Sequence, residues 1–441
     1  MVDNNISNRF YNDINKVIRI KKNIIESILD NNISIETFLS NDIDKFTRKV
    51  ILGIVEKYIS LSKNYVLNHI TFKLSELDLE IIKNIPQGGN YRNVPLSTVK
   101  KSKRLTNLVK TGGRTTLYGR LDWNKPSYTI TTLVNRPGNG THVHPCLERV
   151  LSLREAARFQ SFIDDYYFYG NKTQLLKQVG NAVPPFLAYC IGKSIIDKLE
   201  CETSLDLFCG AGGLTLGFKK AGIKSILCND IEESACITLK INNPELNVLC
   251  GDITDKRIKE ELCDIAIANK VDIICGGPPC QGYSLAGLRS ETDSRNKLFL
   301  DFVEIVAKVK PKVIVFENVM GILSYKKGQT YYEIHNLFDN LGYNTCGKVL
   351  NSVEFGIPQK RKRVIIICTR KDLNIEPINL YPKELTKNNF VNSFEAIGDL
   401  VDIPCDIGAH YDDLNNLSDY IKFTRGIYSF SEYYKLLNER E

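Results

Sequence analysis

The sequence has no Cys-x-x-Cys pair and no cysteine and histidine cluster at metal-ligand spacing, although it carries 13 cysteines and 5 histidines. Scattered cysteines in odd number indicate neither a disulfide framework nor a zinc site. Free thiols point instead to a reducing, cytoplasmic setting. No apolar stretch approaches the roughly 20 residues that a membrane-spanning helix needs. The start, Met1-Val2-Asp3-Asn4-Asn5, lacks the apolar centre of a secretion signal. A soluble protein with no membrane partner is expected. A strong charge of one sign is also missing: Lys and Arg number 58 against 51 Asp and Glu, a net charge of +7. Such a surface suits a polyanion and equally an ordinary enzyme, so charge alone does not decide between them. No internal repeat is visible. What is present is length and apolar content: 441 residues, 43% hydrophobic, enough for a large core and two or three domains.

Residues 8–62 carry Ile, Leu, Val and Phe at helical spacing, with no proline and no glycine before Gly53, which predicts a helical arm. Residues 86–145 are rich in Gly, Pro, Asn, Thr and Arg, with short runs such as Ser127-Tyr128-Thr129-Ile130-Thr131. They read as strands and loops forming an irregular binding surface. Ser152 followed by Glu155 is a capping-box pattern opening a helix, and another helix should start after Pro185. From Ser204 onward, apolar runs at 205–209, 225–228, 271–275, 313–316 and 364–368 alternate with helical patterns. This alternation predicts an α/β fold with a mostly parallel sheet covered by helices on both faces. The tail from about residue 374, rich in Asn, Asp and Tyr, carries no clear assignment.

Three places on this sheet carry chemistry. The run Asp206-Leu207-Phe208-Cys209-Gly210-Ala211-Gly212-Gly213-Leu214 joins a strand to a helix. Its glycines let a ligand approach the backbone, and it departs from Gly-x-Gly-x-x-Gly, so a dinucleotide is not favoured. The next strand ends at Asp230, where an acid accepts from ribose hydroxyls, and Gly251-Asp252-Ile253 follows as a place for the adenine edge. A second turn, Gly276-Gly277-Pro278-Pro279-Cys280-Gln281-Gly282-Tyr283-Ser284, sets Cys280 in a rigid backbone at the carboxyl edge of the sheet. The other twelve cysteines lie mostly in apolar runs and read as small buried hydrophobes. Third, the strand Val313-Ile314-Val315-Phe316 ends in Glu317-Asn318-Val319, and Gln359-Lys360-Arg361-Lys362-Arg363 precedes another strand. Alternation along a strand turns Arg361 and Arg363 to one face.

Together these residues resemble the cytosine-5 DNA methyltransferase family of bacterial restriction-modification type. The resemblance implies a Rossmann-like S-adenosylmethionine-dependent methyltransferase fold with S-adenosylmethionine as methyl donor, no metal, and double-stranded DNA as partner. A cognate restriction endonuclease sharing the target site is a further implied partner. In the family, the turn at 206–213 binds the cofactor, Pro279-Cys280 supplies the nucleophile, Glu317 holds the cytosine, and Gln359 to Arg363 supports the flipped nucleotide. Cofactor contacts are thereby expected at Phe208, Gly210, Gly212, Gly213, Asp230, Ile231, Asp252, Ile253, Pro278 and Leu298. The family's last two motifs are found as Arg136-Pro137 with the helix near 151–160, and as Gln178-Val179-Gly180-Asn181-Ala182-Val183-Pro184-Pro185. The latter implies further cofactor contacts at Asn181, Ala182 and Val183. These two motifs normally close the chain; here they precede the cofactor turn, which implies a circular permutation.

On this reading the chain divides into a helical arm (1–66), part of a smaller irregular target-recognition domain with the start of the permuted motifs (67–150), and permuted helices completing the catalytic domain (151–202). The catalytic cofactor-binding domain (203–372) and the remainder of the recognition region (373–441) follow. The resemblance spans about 67–420 and leaves the arm outside. In the implied mechanism Cys280 attacks carbon 6 of cytosine, Glu317 bonds ring nitrogen 3 and the amino group, Arg363 bonds the carbonyl oxygen, and Arg361 is a nearby positioning charge. The cytosine must leave the duplex stack to be reached. The run Lys100-Lys101-Ser102-Lys103-Arg104 is either a phosphate contact or a solvated loop. Two rivals stand beside this reading, a transfer-RNA cytosine methyltransferase on the same fold and a non-catalytic DNA-binding relative; a dinucleotide oxidoreductase fails on Pro-Pro-Cys and Gln-x-Arg-x-Arg.

Overall fold

The structure, a computed structural model, describes residues 44–278, 298–406, 408–411 and 416–440. Its frame is one seven-stranded sheet built from Thr203–Leu207 (β1), Lys224–Asp230 (β2), Asn247–Cys250 (β3), Ile273–Gly276 (β4), Val313–Val319 (β5), Tyr343–Asn351 (β6) and Lys362–Arg370 (β7). The spatial order is β3-β2-β1-β4-β5-β7-β6. The first five strands are mutually parallel. β7 runs antiparallel to both β5 and β6, with Ile365 opposite Glu317 and Arg363 opposite Val319. β3 and β6 are additions to the sequence reading. Both lie at sheet edges and have half-exposed, polar-interrupted faces, so neither shows the apolar run of a buried strand.

Side chains alternate across the sheet, as the pleat dictates. Ile273, Cys275, Val313, Val315, Ile365 and Ile367 enter one core cluster; Leu205, Leu207, Ile274, Ile314, Phe316, Val364 and Ile366 enter another. The flanking helices are Lys45–Ser62 (α1), Leu153–Phe159 (α2), Lys172–Asn181 (α3), Pro185–Ile196 (α4), Gly213–Ala221 (α5), Glu233–Asn242 (α6), Lys256–Ala268 (α7), Leu298–Val309 (α8) and Gln329–Asn340 (α9). Residues of α2 to α5 cover the first face, and residues of α7 to α9 cover the second. The expected α/β architecture with both faces covered is thus observed. No helix among the described residues is long and apolar enough to cross a membrane.

The expected capping box at Ser152 and Glu155 is formed in full, and α4 opens with Pro185 at its first turn. Helices α4 and α5 approach at Gly217, where a Cβ would meet Pro185 O at 2.3 Å. The arm is described from Asp44 onward. α1 packs Val50 and Ile54 onto Ile237 and Ile241 of α6, and Lys49 pairs with Glu233 at 3.1 Å, so this part of the arm is a cap on the core.

The stretch 86–145 is less irregular than its composition predicts. Leu96–Val99 and Lys103–Thr111 are helical, the second capped by Ser102 and ended by Gly112 at φ 67°. The basic run at 100–104 is a turn at the exposed Lys100 and Lys101 that leads through Ser102 into the second helix at Lys103, with Lys101 paired to Glu80 and Arg104 bonded to Gly138 O and Asn139. The tail forms the helices Ser393–Ile397, Asp419–Thr424 and Phe430–Glu439. It joins the earlier stretch through Ser393 N donating to Lys125 O and Phe394 N to Trp123 O.

Candidate active site

The strand order reverses between β1 and β4, the place in an open α/β sheet where ligands bind outside the carboxyl ends of the strands. The turn after β1 is shaped for such contact. Phe208 has φ 56°, Gly210 52° and Gly212 79°, and Gly212 stands as the left-handed cap of α5. Gly213 is required for a different reason, since a Cβ there would lie 2.1 Å from Val183 O. The segment that ends α3 thus presses on the glycine turn, with Asn181 exposed, Ala182 half-buried and Val183 buried. Tyr166 donates to Ala211 O at 2.5 Å and steadies the same turn; nothing in its sequence context marks it for this.

Asp230 ends β2 and accepts from Gly210 N at 2.7 Å and Glu232 N at 2.8 Å, while burial pushes its carboxyl pKa up. Each oxygen keeps acceptor capacity for a ribose hydroxyl. Beside it Ile231 is 62% exposed, an apolar side chain left open at the ligand edge. Asp252 is exposed and accepts from Thr254 N. Ile253 is 3% exposed and packs its side chain into the core with Leu262 and Cys263, so any contact it makes with an adenine edge is left to its backbone. Beneath the turn, Asp206 is wholly buried. Thr215 donates to one of its oxygens at 2.6 Å and the other, Oδ1, has no partner among the described residues. Burial raises its pKa to about 7.

The turn after β4 is described as far as Pro278; Cys280 and the rest of the Pro-Cys motif lie outside the described residues. What leads into it is packed against the acid of β5. A Cβ on Gly277 would stand 2.7 Å from Glu317 Oε2, and Asn318 Nδ2 donates to the buried Pro278 O. Leu298 opens α8 half-buried against the second core cluster. Glu317 Oε1 forms an ion pair with Arg363 Nε at 2.9 Å, with each side chain only slightly exposed. An acid and a guanidinium are thereby held together, half-desolvated, at the carboxyl edge of the sheet.

Arg361 departs from its expected place near a base. It precedes β7 and is wholly buried. Its guanidinium donates to Ile130 O, Gly180 O and Ala182 O, each at 3.0 Å, and burial pushes its pKa down. Three carbonyl dipoles hold the charge, and no acid among the described residues forms an ion pair with it. Arg361 is thus a positioning residue beneath the site. Gln359 works beside it, donating to Phe159 O and Gln160 and accepting from Ile130 N at 2.7 Å. The two tie β7, α2, the 130 segment and the 180–183 segment into one support.

The fold and this edge define a Rossmann-like methyltransferase: five parallel strands with the order reversing beside a glycine turn, and an antiparallel seventh strand inserted next to the fifth. A family model of the C-5 cytosine-specific DNA methylases matches residues 4–197 and 203–433, and the chain belongs to that family. The match begins at residue 4, so the arm, which the resemblance left outside, falls within it. Among similar proteins, the type II methyltransferase M.DdeI of Desulfomicrobium norvegicum is 41% identical over 214 residues, 47% of this chain and 51% of that protein. M.Eco47II of Escherichia coli is 42% identical over 173 residues, 39% and 40% of the two chains. M1.HphI of Haemophilus parahaemolyticus is 43% identical over 193 residues, 42% and 51%. The chain spans about half the length of the curated relatives it matches.

Proposed function

We propose that this protein is a DNA (cytosine-5-)-methyltransferase of a bacterial restriction-modification system. It would transfer a methyl from S-adenosylmethionine to carbon 5 of a flipped-out cytosine in a short duplex sequence. The observation that carries this is the Glu317–Arg363 pair set against Gly277-Pro278, the backbone that leads to Cys280. A carboxyl group that accepts from the amino group and, when protonated, donates to ring nitrogen 3, beside a guanidinium that donates to the carbonyl oxygen, matches the polar edge of cytosine.

The cofactor's residues fit a nucleoside. A Cβ on Gly210 would meet nothing within 4 Å, Asp230 retains acceptor capacity, and Ile231 offers an apolar face. The bound cofactor supplies an electrophilic sulfonium methyl. In the ring, Cys280 adds its thiolate to carbon 6, and Glu317 and Arg363 hold the polar edge as electron density moves toward carbon 5. With the cofactor bound, carbon 5 would take its methyl, leaving a neutral thioether, and loss of the carbon-5 proton to a base would expel Cys280 and restore the ring. Arg361, through Ile130 and the 180–183 segment, keeps this edge aligned with the glycine turn.

The same contacts support a circularly permuted order. Val183 O against Gly213, and the close packing of α4 on α5, place the 178–196 segment beside the first strand, so the linker at 197–202 closes what an unpermuted chain would leave open. A permuted order also accounts for pairwise matches that span about half of each chain, since a collinear alignment follows one exchanged block at a time. The recognition region is split, and the bonds from Ser393 and Phe394 to residues 123–125 support its two parts meeting. We divide the chain accordingly at 66, 150, 202 and 372. A cognate restriction endonuclease is the implied partner, and the bacterial cytoplasm the implied location.

The test is transfer of labelled methyl to unmethylated duplex DNA, with transfer RNA in parallel and bisulfite sequencing of the product. 5-Methylcytosine in one short DNA motif is expected. Label confined to RNA would favour the transfer-RNA reading, and no label in either would leave a non-catalytic relative. Glu317→Gln should lower turnover by about 10²- to 10⁴-fold with cofactor affinity retained.

A further inference from the structure

The cofactor half of the sheet is unusually rich in thiols. Cys209, Cys228, Cys236, Cys250 and Cys275 all lie on or beside β1 to β4, and all are free. Most are sealed in the core, where a thiol is an inert small hydrophobe. Cys236 and Cys250 differ. β2 and β3 pair Asp230 directly opposite Cys250, and Gly251 N donates to Asp230 O at 3.0 Å. Cys236, in the first turns of α6, directs its Sγ to the same Asp230 O at 3.4 Å. Cys250 therefore stands opposite the residue whose carbonyl receives the Cys236 thiol, so the two cysteines flank Asp230 from α6 and from β3. Cys250 is half-exposed and Cys236 wholly buried, the arrangement of an attackable sulfur backed by a second one. The neighbouring thiol lowers the pKa of Cys250 and raises that of Cys236, which favours thiolate on the reachable member.

We propose that Cys250 and Cys236 form a peroxide-sensitive thiol pair whose oxidation to a disulfide weakens the adjoining cofactor pocket, an inference that rests on the proposed function for the identity of the ligand. The Cys250 thiolate attacks hydrogen peroxide, an S–O bond forms, the O–O bond breaks, and the departing hydroxide takes up the proton the thiol had given up and leaves as water. The Cys236 sulfur then attacks the sulfenic acid, forming S–S and breaking S–O, and a second water leaves. Two thiols lose two hydrogens and two electrons, and one peroxide is reduced. Closing the pair to a bond of about 2.05 Å removes the Cys236 bond to Asp230 O. It also draws the start of α6 toward the end of β3, on either side of the Asp230, Ile231 and Asp252 positions assigned to ribose and adenine.

The experiment uses the full chain carrying Cys280→Ala, so that oxidation of the nucleophile cannot report. Labelled S-adenosylmethionine is titrated by equilibrium dialysis before and after hydrogen peroxide, with catalase to end the exposure and peptide mass mapping of the thiols. The expected result is a Cys236–Cys250 bridge and about tenfold weaker binding, reversed by dithiothreitol and absent when Cys250→Ser is added. A bridge without a change in affinity, or a peroxide effect that persists in Cys250→Ser, overturns the proposal. So does peroxide treatment that leaves both thiols reduced. A reduced protein that binds no cofactor overturns both this inference and the functional reading beneath it, whereas one that binds and ignores peroxide overturns this inference alone.

Discussion

The cofactor half of the sheet and the support built around α2 solve the burial of charge in opposite ways. Under the glycine turn, Asp206 is buried with Oδ1 unpartnered among the described residues, and its carboxyl rises to about 7. In the support, Glu155 is just as buried but receives both arms of Arg149 at 2.7 Å and the amide of Ser152, and its pKa falls. Arg158 likewise bridges Asp164 and Asp399, joining α2 to the tail. One half is held by close backbone packing around glycines, and the other by arginines reaching buried acids both nearby, as Arg149 to Glu155, and far away in sequence, as Arg158 to Asp399. The two should therefore answer differently to mutation and to pH.

The largest effect is expected where a buried arginine has several carbonyls to satisfy. Arg361→Leu strands three acceptors and should cost about 3–5 kcal/mol in urea unfolding, whereas Arg363→Leu, at the rim, should lose activity with a much smaller stability change. Equal stability losses would break the comparison. Next, Glu155→Gln should cost about 3 kcal/mol near neutral pH. Because the Glu155 pKa is depressed in the fold, its contribution is present above the ordinary value of 4.5 and disappears as pH falls below it. The mutant and parent unfolding midpoints should converge in acid.

Asp206 carries the reverse sign. Its raised pKa means that the parent's stability falls as pH rises from about 4 to about 7. Asp206→Asn should flatten that dependence, a difference on the order of 2–4 kcal/mol between pH 5 and pH 8. Unfolding curves of both proteins at the two pH values check it, and an unchanged slope would remove the contrast between the halves. Smallest is Ile231→Ser, which exposes no core; cofactor affinity should fall only about two- to fivefold, read by equilibrium dialysis.

The comparison also explains what the sequence made legible. β1, β2, β4, β5 and β7, the glycine turn and Asp230 are local patterns, where an apolar run and its punctuation sit within a dozen residues. Edge strands β3 and β6 are half-polar and escaped that reading. The roles of Ile130, Tyr166 and the 180–183 carbonyls were out of reach, because each is a backbone or hydroxyl group whose partner lies tens to hundreds of residues away. Arg361 was visible as a charge in a basic run, but its partners were not, so its place under the site and not at its mouth emerges from the fold alone. That Ile253 turns its side chain to the core while Asp252 stays exposed likewise emerges from the fold.

The account's central claim is a covalent step by Cys280 on a cytosine held by Glu317 and Arg363. Replacing the target cytosine of a duplex with 5-fluorocytosine tests it most directly, because fluorine cannot leave carbon 5 as a proton does and the adduct persists. Incubated with S-adenosylmethionine, the full chain should yield a stable protein–DNA species whose modified peptide contains Cys280, and Cys280→Ala should yield none. An adduct at another residue, or methyl transfer by Cys280→Ala, would contradict the account.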